Sequence, residues 1–551
     1  MKRKLISWLL VLTFLCPAIA IAEVTDPLAN PAGTVPVAKE PIQLTIAVLQ
    51  NEFVEDYETN YQTLAFEALS GCDIVPVVFS SVDAGEKMKM MVASGDKLPD
   101  IIPREFINND ATRYLYGDAG ALIPLNDYFA DEDGMAAPYY EACERAGIDA
   151  KWALDMVRSP DGNIYGMPSY PIAYANVYCN RAWINQEWLD ALGLEQPTTI
   201  DELTEVLIAF RDKDPNGNGL KDEIPMTGAA GIASNAYPLN WLQNMFIYSD
   251  MSENRYLPLS ETDGKVDVSY DKAEYREFLK YVNMLVKEGL LSELCFTQSV
   301  SEMRAQLQAE TETIGMMFGS ANGFGGNIDA WQPLEQPAGV DGERRVTTLF
   351  ADFFATYAIS ADCEHPEIAF MFAMQGYADN ANSMLTRFGE KGVDWVPAEE
   401  GQVSMFKEMG MLPNLQVKNS VWAVKNNKTW QNSELPAMWN PNTAVEVFNG
   451  NELYGERLHG RSVAMNYKYG PDVSDIVAKI VYTDEEQDRW NEVRNSLRTY
   501  VQESMALFAI GQLDPNSDTD WNNYLAELEK LQYKEILEVD NIAFRRTMGI
   551  E

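Results

Sequence analysis

The sequence predicts an α/β fold of two or more lobes, and three observations carry that expectation. Apolar residues make up 46% of a 551-residue chain, too much for one ordinary core, so the buried surface divides among lobes. Between residues 44 and 125, short apolar runs alternate with a helical pattern, the rhythm of a largely parallel sheet. Further on, a capped amphipathic helix stands directly before a loop rich in short oxygen-bearing side chains.

The elements follow in chain order. Residues 1–22 read as an export signal: Lys2, Arg3 and Lys4, an apolar run from Leu5, then Ala20 and Ala22 before cleavage at Glu23. Ala18 and Ala20 are the rival small pair. Cys16 makes a poor lipidation site, because bulky Phe14 and Leu15 precede it and Pro17 follows. Residues 23–42 form a tether containing Pro, Ala and Thr, and LTIAVL (44–49) reads as a buried strand. Residues 84–94 carry Met88, Met91 and Val92 at helical spacing and stop at Gly95; these methionines read as core packing. LPDII (98–102) is a second short strand, followed by GALIPL (120–125). Thr199 then opens a helix as N-cap with Glu202 reaching back, and Leu203, Val206, Leu207 and Phe210 share one face.

Charge and rare residues exclude several functions. The export signal holds three basic residues and no acid, so its removal takes the formal charge from −41 to −44. Such a surface repels nucleic acid and anionic membrane. Beyond the signal, Cys72, Cys143, Cys179, Cys295 and Cys363 are dispersed and odd in number, which fits neither a disulfide framework nor a CxxC metal site. The two histidines, His365 and His459, have no nucleophile motif near them, and neither HExxH nor GxSxG occurs.

DKDPNGNGLKDEIP (212–225) fits a calcium loop in two registers. In one, Asp212, Asp214 and Asn216 take positions 1, 3 and 5, Gly217 turns, and Glu223 closes. In the other, Asp214, Asn216 and Asn218 take those positions, Gly219 turns, Leu220 offers its carbonyl, and Asp222 with Glu223 finish. Either supplies oxygen ligands and three negative charges to a hard cation. An empty Asn-Gly turn is the alternative. A cage closed by protein oxygens would brace the loop rather than activate water, so the cation is structural.

A resemblance emerges from a succession of motifs: SGDKLPD (94–100), GALIPL (120–125), DGNIYGMP (161–168), WLDALGL (188–194), PTTIDEL (197–203) and the calcium-like loop. GVDGE (339–343), HPE (365–367), GEKGVDW (389–395) and DWNNYL (520–525) keep the order. Together they resemble extracellular solute-binding proteins of carbohydrate ABC importers (family 1), in the large lipoprotein-like branch that includes alginate-binding proteins. The resemblance spans the mature chain. It favours the second register, giving Asp214, Asn216, Asn218, Leu220, Asp222 and Glu223 as Ca2+ ligands. It implies a two-lobed periplasmic-binding-protein-like fold with crossing segments: 43–170 plus about 349–395 as lobe 1, and 171–348 plus about 396–551 as lobe 2. Crossings are expected near residues 171–174 and 349–354 and after Trp395. The missing lipobox departs from the family's usual anchor.

The resemblance also implies a ligand. Sugars present apolar C–H faces and many hydroxyls, so their pockets combine aromatic platforms with planar polar groups. Tyr170, Tyr174, Trp241, Asp352, Trp395 and Trp439 are the expected contacts, and Trp331 reads rather as core. The implied function is capture of an oligosaccharide between lobes, without catalysis, for delivery to ABC importer permease subunits, by a monomer at the cell surface or outside the cell. An exported glycan-active enzyme, or a surface receptor that senses without transport, are the alternatives.

Overall fold

QLTIAVL becomes β1 (Gln43–Leu49), the second strand of a four-stranded sheet. The structure is a computed structural model describing residues 24–548 except 108–109, 171–173, 232–233, 253, 260–263, 310–311, 322–324, 350–352, 423, 432–433, 441, 449–453, 473–474 and 478–479. The expected export signal therefore lies outside the described residues.

β1 lies between β2 (Asp73–Phe79) and β3 (Ile101–Ile102), parallel to both. The helices Tyr61–Ser70 and Ala84–Ser94 connect them as crossovers. Pro76 is accommodated because β2 is an edge strand, where a missing N–H leaves no ladder bond unmade. Helix Ala84–Ser94 ends at Gly95 as expected. Gly95 has φ 69° and its N–H caps Met91 and Val92, a left-handed conformation that glycine adopts at no steric cost. Met88 is fully buried, and Met91 and Val92 pack partly buried on the same cluster.

The chain then leaves this sheet and returns to it. β4 (Met167–Ser169) leads toward β5 (Ala182–Asn185), the centre of a second sheet flanked by β6 (Met316–Phe318) and β7 (Trp331–Pro333), both antiparallel to it. β8 (Phe354–Thr356) pairs antiparallel with β4, and β9 (Ala358–Ile359) closes the first sheet antiparallel to β3. β10 (Trp395–Pro397) and β11 (Leu415–Val417) form a separate ribbon. The parallel order thus holds for the N-terminal strands, while the second sheet, built from returning segments, is antiparallel.

Two large apolar cores correspond to the two sheets. The first gathers Ile46, Phe66, Tyr139, Tyr357, Phe370 and Trp430. The second gathers Trp188, Leu207, Phe210, Phe278, Met316 and Phe508. Helix Pro366–Ala378 is buried on nearly every face because it threads the first core. The C-terminal helices Asp484–Ala509, Asp518–Lys530 and Tyr533–Thr547 belong to the second.

Two stretches pack in ways their composition conceals. Ala29, Val37 and Ala38 of the 23–42 segment are buried in the first core. Upstream, Thr25 N and Asp26 N donate to the Glu367 carboxylate at 2.8 and 2.7 Å. Trp430, Leu435 and Met438, well after Trp395, also pack in the first core. No helix among the described residues is long and apolar enough to cross a membrane.

Candidate functional site

Three segments meet beside the first core, at points where the chain leaves it for the second core and returns. Ser169 at the end of β4 pairs with Phe354 at the start of β8. Tyr170 N donates to Ala437 O at 2.6 Å, and Trp439 N donates to Tyr170 O at 3.1 Å. Ala437 N adds a bond to Ser169 Oγ at 3.0 Å. Segments distant in sequence are therefore tied backbone to backbone where the chain passes from one core to the other.

The aromatic groups at this junction are ordered against one another. Half-buried Tyr170 lies flat on Phe353, with ring centroids 4.3 Å apart and planes within 4°. Trp152, at the edge of exposure with 36% accessible, meets Phe353 edge-on at 4.8 Å. Such offset and edge contacts add to the area that each ring buries. Trp152 and Phe353 were not expected from the sequence, because only the β4–β8 pairing brings them beside Tyr170.

The other expected aromatic contacts have a different setting. Trp439 is 2% exposed and its Nε1 donates to Ser383 Oγ at 2.9 Å; Trp395 is 4% exposed and its Nε1 donates to Gly389 O at 3.2 Å. Both belong to one cluster with Met384, Phe388 and Leu415. Trp241 is 3% exposed, inside the second core against Phe318. Tyr174 begins the helix Tyr174–Val177, but its side chain lies outside the described residues, as does Asp352. Trp331 packs buried in β7, as expected.

Carboxyl ends of the parallel strands supply a feature that reading for sugar platforms alone overlooks. Arg104 opens a short 3-10 turn just after β3, and its guanidinium carbon stands 4.0 Å from the Phe354 ring centroid. In open α/β sheets that edge is where ligands bind. The PDII run before Arg104 was the available signal.

In the loop 212–225 the side chains converge around Asp222. Helix Ile200–Asp212 fixes its start: Thr199 Oγ1 accepts from Glu202 N at 3.2 Å. Glu202 takes its two returning bonds from Thr198, at 2.7 Å each, rather than from Thr199. Asp214, at φ 42°, accepts from Asn218 N and Gly219 N at 3.1 and 3.0 Å. The Asn218 amide faces the Asp222 carboxylate at 3.1 and 3.2 Å, and the Asn216 amide reaches it at 3.4 Å. The side-chain oxygens of Asn216 and Asn218 accept from Asn218 N at 3.0 Å and Leu220 N at 2.7 Å.

Glu223 and Asp212 differ sharply. Glu223 Oε1 is buried without a hydrogen-bond partner, and burial, then the charges of Asp214 and Asp222, push its carboxyl above the usual range. Asp212 faces away, paired with Arg211 at 2.7 Å. That pairing is the first cause holding its carboxyl below the usual range. Among the described residues no three His, Cys, Asp or Glu side chains are gathered closely enough to hold a metal on their own. A cation here would need the Asn and Leu220 oxygens as well.

The rarer residues are structural. All five described cysteines are free, and Cys72, Cys143 and Cys295 are buried. His365 Nδ1 lies 2.8 Å from Asp26 Oδ2, and buried His459 accepts from Ala321 N at 3.0 Å.

Comparison with known proteins supplies the remaining context. The fructooligosaccharide ABC transporter substrate-binding protein FusA of Streptococcus pneumoniae is 24% identical over 471 residues, 83% of this chain and 81% of its own. Its structure with kestose superimposes at TM-score 0.71 and 22% identity, covering 93% of this chain and 100% of that one. A further FusA structure, at TM-score 0.70 and 21% identity over 92% of this chain and 100% of that one, is an EF-hand mutant. An HMO-binding, ABC-transporter-associated protein of Bifidobacterium longum infantis reaches 0.71 at 20% identity over 92% and 99% of the two chains. Alginate-binding AlgQ2 solved without calcium ion reaches 0.65 at 20%, over 92% and 98%. These likenesses establish the two-lobed fold. The sequence profile of one family, bacterial extracellular solute-binding protein, matches residues 47–374, well over half of the sequence, and the chain belongs to that family.

Proposed function

We propose that the protein captures an oligosaccharide between its two lobes and delivers it to the permease subunits of an ABC importer, outside the cell and as a monomer. The observation that carries this reading is the backbone tie of β4, β8 and the 437–439 segment beside the Tyr170–Phe353 stack, at points in the sequence where the chain leaves the first core for the second and returns. A stack of flat rings at a hinge offers an apolar face to sugar C–H groups, while closure of the lobes excludes water. The function needs no covalent step, and none is assigned.

Lobe 1 comprises 43–170 and about 349–395, to which we add the docked 23–42 segment and 430–438, because both contribute buried residues to the first core. Lobe 2 comprises 171–348 and the remaining C-terminal chain. Tyr170, Tyr174 and Asp352 are retained as ligand contacts. Trp241, Trp395 and Trp439 are assigned to supporting the walls, because rings buried to this extent have no free face for a sugar.

The loop 212–225 is proposed to hold a structural Ca2+ through Asp214, Asn216, Asn218, the Leu220 carbonyl, Asp222 and Glu223. The fit rests on the partnerless buried oxygen of Glu223 beside Asp214 and Asp222, and on Asp212 being engaged elsewhere. Bound there, the ion would neutralise three carboxylates and tie the end of helix Ile200–Asp212 to the segment before β6. Asn216 already reaches that segment by donating to Glu312 O at 3.1 Å.

Scattering tests the main reading. A glycan panel screened by thermal shift first identifies a ligand, since binding to the native state raises stability by RT ln(1 + [L]/Kd). The radius of gyration is then expected to fall when that ligand is added, and mass spectrometry should recover the ligand unchanged. Conversion of the ligand by pure protein would overturn the assignment.

A further inference from the structure

The chain approaches β8 through residues 346–349, and buried polar groups hold that stretch residue by residue. Val346 N donates to Tyr469 O at 3.1 Å, and Leu349 N donates to Val177 O at 2.8 Å. Thr347 Oγ1 accepts from Asn244 Nδ2 at 3.0 Å and donates to Ser249 O at 2.7 Å, while Ser249 N returns to Asn244 Oδ1 at 3.0 Å. At Thr348 a single hydroxyl serves both backbone groups. Tyr248 Oη accepts from the Thr348 N–H at 3.3 Å and donates to the Thr348 carbonyl at 3.2 Å. A Cβ on Gly470 would lie 2.1 Å from Thr348 Oγ1, so the end of the 467–469 turn closes the other side.

These groups belong with the second core, and the tie reaches both passages between the cores. Asn244, Tyr248 and Ser249 lie along the chain beside Leu242, Met245 and Phe246, which are second-core residues. Asn244, Ser249, Thr347 and Thr348 are at most 1% exposed and Tyr248 is 5% exposed, so water cannot take the place of a lost bond. Val177 ends the helix Tyr174–Val177, after the outgoing chain has left Tyr170. Its bond with Leu349 therefore fastens the outgoing and returning passages to each other. Phe353 is already packed in the first core.

We propose that the Tyr248 hydroxyl is a positioning group for closure: it fixes the point at which the returning chain leaves the second core, and so limits the arrangements that the two cores explore without ligand. This rests on the reading of the protein as a carrier that closes on its ligand. Tyr248 touches no ligand in this scheme. Its hydroxyl does what a neighbouring strand would do, supplying one donor and one acceptor to the backbone of one residue. Without it two buried backbone groups lose a partner, and the segment is free to shift. A ligand must then select the closed arrangement from a larger open ensemble, and its apparent affinity falls by the fraction of competent molecules lost.

Spin labels, one on the surface of each core, report the spread of distances between the cores in the ligand-free exported chain. Tyr248→Phe should widen that spread, and the Thr348 and Leu349 amides should exchange with deuterium about tenfold faster, the change expected for one lost hydrogen bond. Thr347→Val, which breaks the ring to Asn244 and Ser249 with little change of shape, should act in the same direction. Tyr524→Phe is the control. It removes a buried hydroxyl of the second core, bonded to Tyr270 O at 3.0 Å, and should lower the melting temperature without widening the spread. A panel of gluco-, galacto-, manno- and fructo-tetramers then supplies the saccharide with the largest thermal shift. Tyr248→Phe should bind it about three- to tenfold more weakly, and Tyr524→Phe as tightly as wild type. Melting curves check that each variant is folded. A spread as narrow as wild type in Tyr248→Phe, equal widening in Tyr524→Phe, or an affinity untouched by Tyr248→Phe overturns the proposal and leaves the carrier reading intact. Binding of no saccharide in the panel counts against the carrier reading, and the ligand-free distances then decide the proposal alone.

Discussion

Asp212 and Asp222 lie at opposite ends of one short loop, yet their surroundings assign them opposite parts. Asp212 is neutralised by Arg211, whereas Asp222 collects the amides of Asn216 and Asn218. Asp222→Ala should therefore lower the melting temperature in calcium and lose most of its effect in excess chelator, because metal affinity is linked to the folded state. Asp212→Ala should behave alike in both. Reversal of that pattern would favour the first register, and wild type melting identically with and without calcium would make the loop an ordinary turn. Buried Asp540 offers a second test. It accepts from Tyr256 and Tyr482 hydroxyls at 2.7 Å, and burial pushes its carboxyl above the usual 3.8 despite nearby Arg494. A raised native pKa means that the folded state holds the proton longer. Its contribution is thus greatest below the unfolded value and declines as pH rises through the folded one. Denaturation across pH 3 to 7 should find Asp540→Asn gaining on wild type as pH rises; a parallel pair of curves would refute this. The sequence displayed the loop's chemistry because ligand types and glycines lie within a dozen residues. It could not display Arg211 turning Asp212 outward, which depends on side-chain direction at the helix end.

At the scale of elements, helix Pro366–Ala378 illustrates how close approach is built. A Cβ on Gly376 would lie 2.1 Å from Pro436 O, so this glycine lets the 435–436 backbone lie against the helix. Alanine normally helps a helix by about 1 kcal/mol over glycine. Here a backbone carbonyl would have to move, an overpacking cost of about 1–3 kcal/mol or more, so Gly376→Ala should lower stability in chemical denaturation. An unchanged or raised midpoint would mean that the 430–438 segment docks loosely. Local signals were legible where they are self-contained: helix Ala84–Ser94 with its Gly95 cap, and the Thr199 start of helix Ile200–Asp212. β2 was missed because Pro76 argues against a strand unless the strand is known to be an edge. The backbone pairing of Tyr170 with Ala437 and Trp439 was beyond reach for a different reason. It joins residues more than 260 positions apart, and no local periodicity encodes such a contact.

For the whole molecule, the two cores could be anticipated from length and apolar content, whereas their assignment along the chain could not, since the chain passes between them more than once. In the proposed closure the same connectivity would make the two cores move as nearly rigid bodies, with the change in radius of gyration as its measure. The packing of residues 25–38 adds a directional consequence. Thr25 and Asp26 hold the Glu367 carboxylate, His365 holds Asp26, and Val37 and Ala38 are sealed into the first core. Val24 and the residues after it are thereby fixed to the first core. Under the proposed closure, a molecule held at its N-terminal side would keep the first core as the stationary frame, and the second core would be the moving part. Capture would then be read from outside as a displacement of one face only. A fluorophore pair placed between an upstream anchor and each lobe should register distance changes for lobe 2 and almost none for lobe 1.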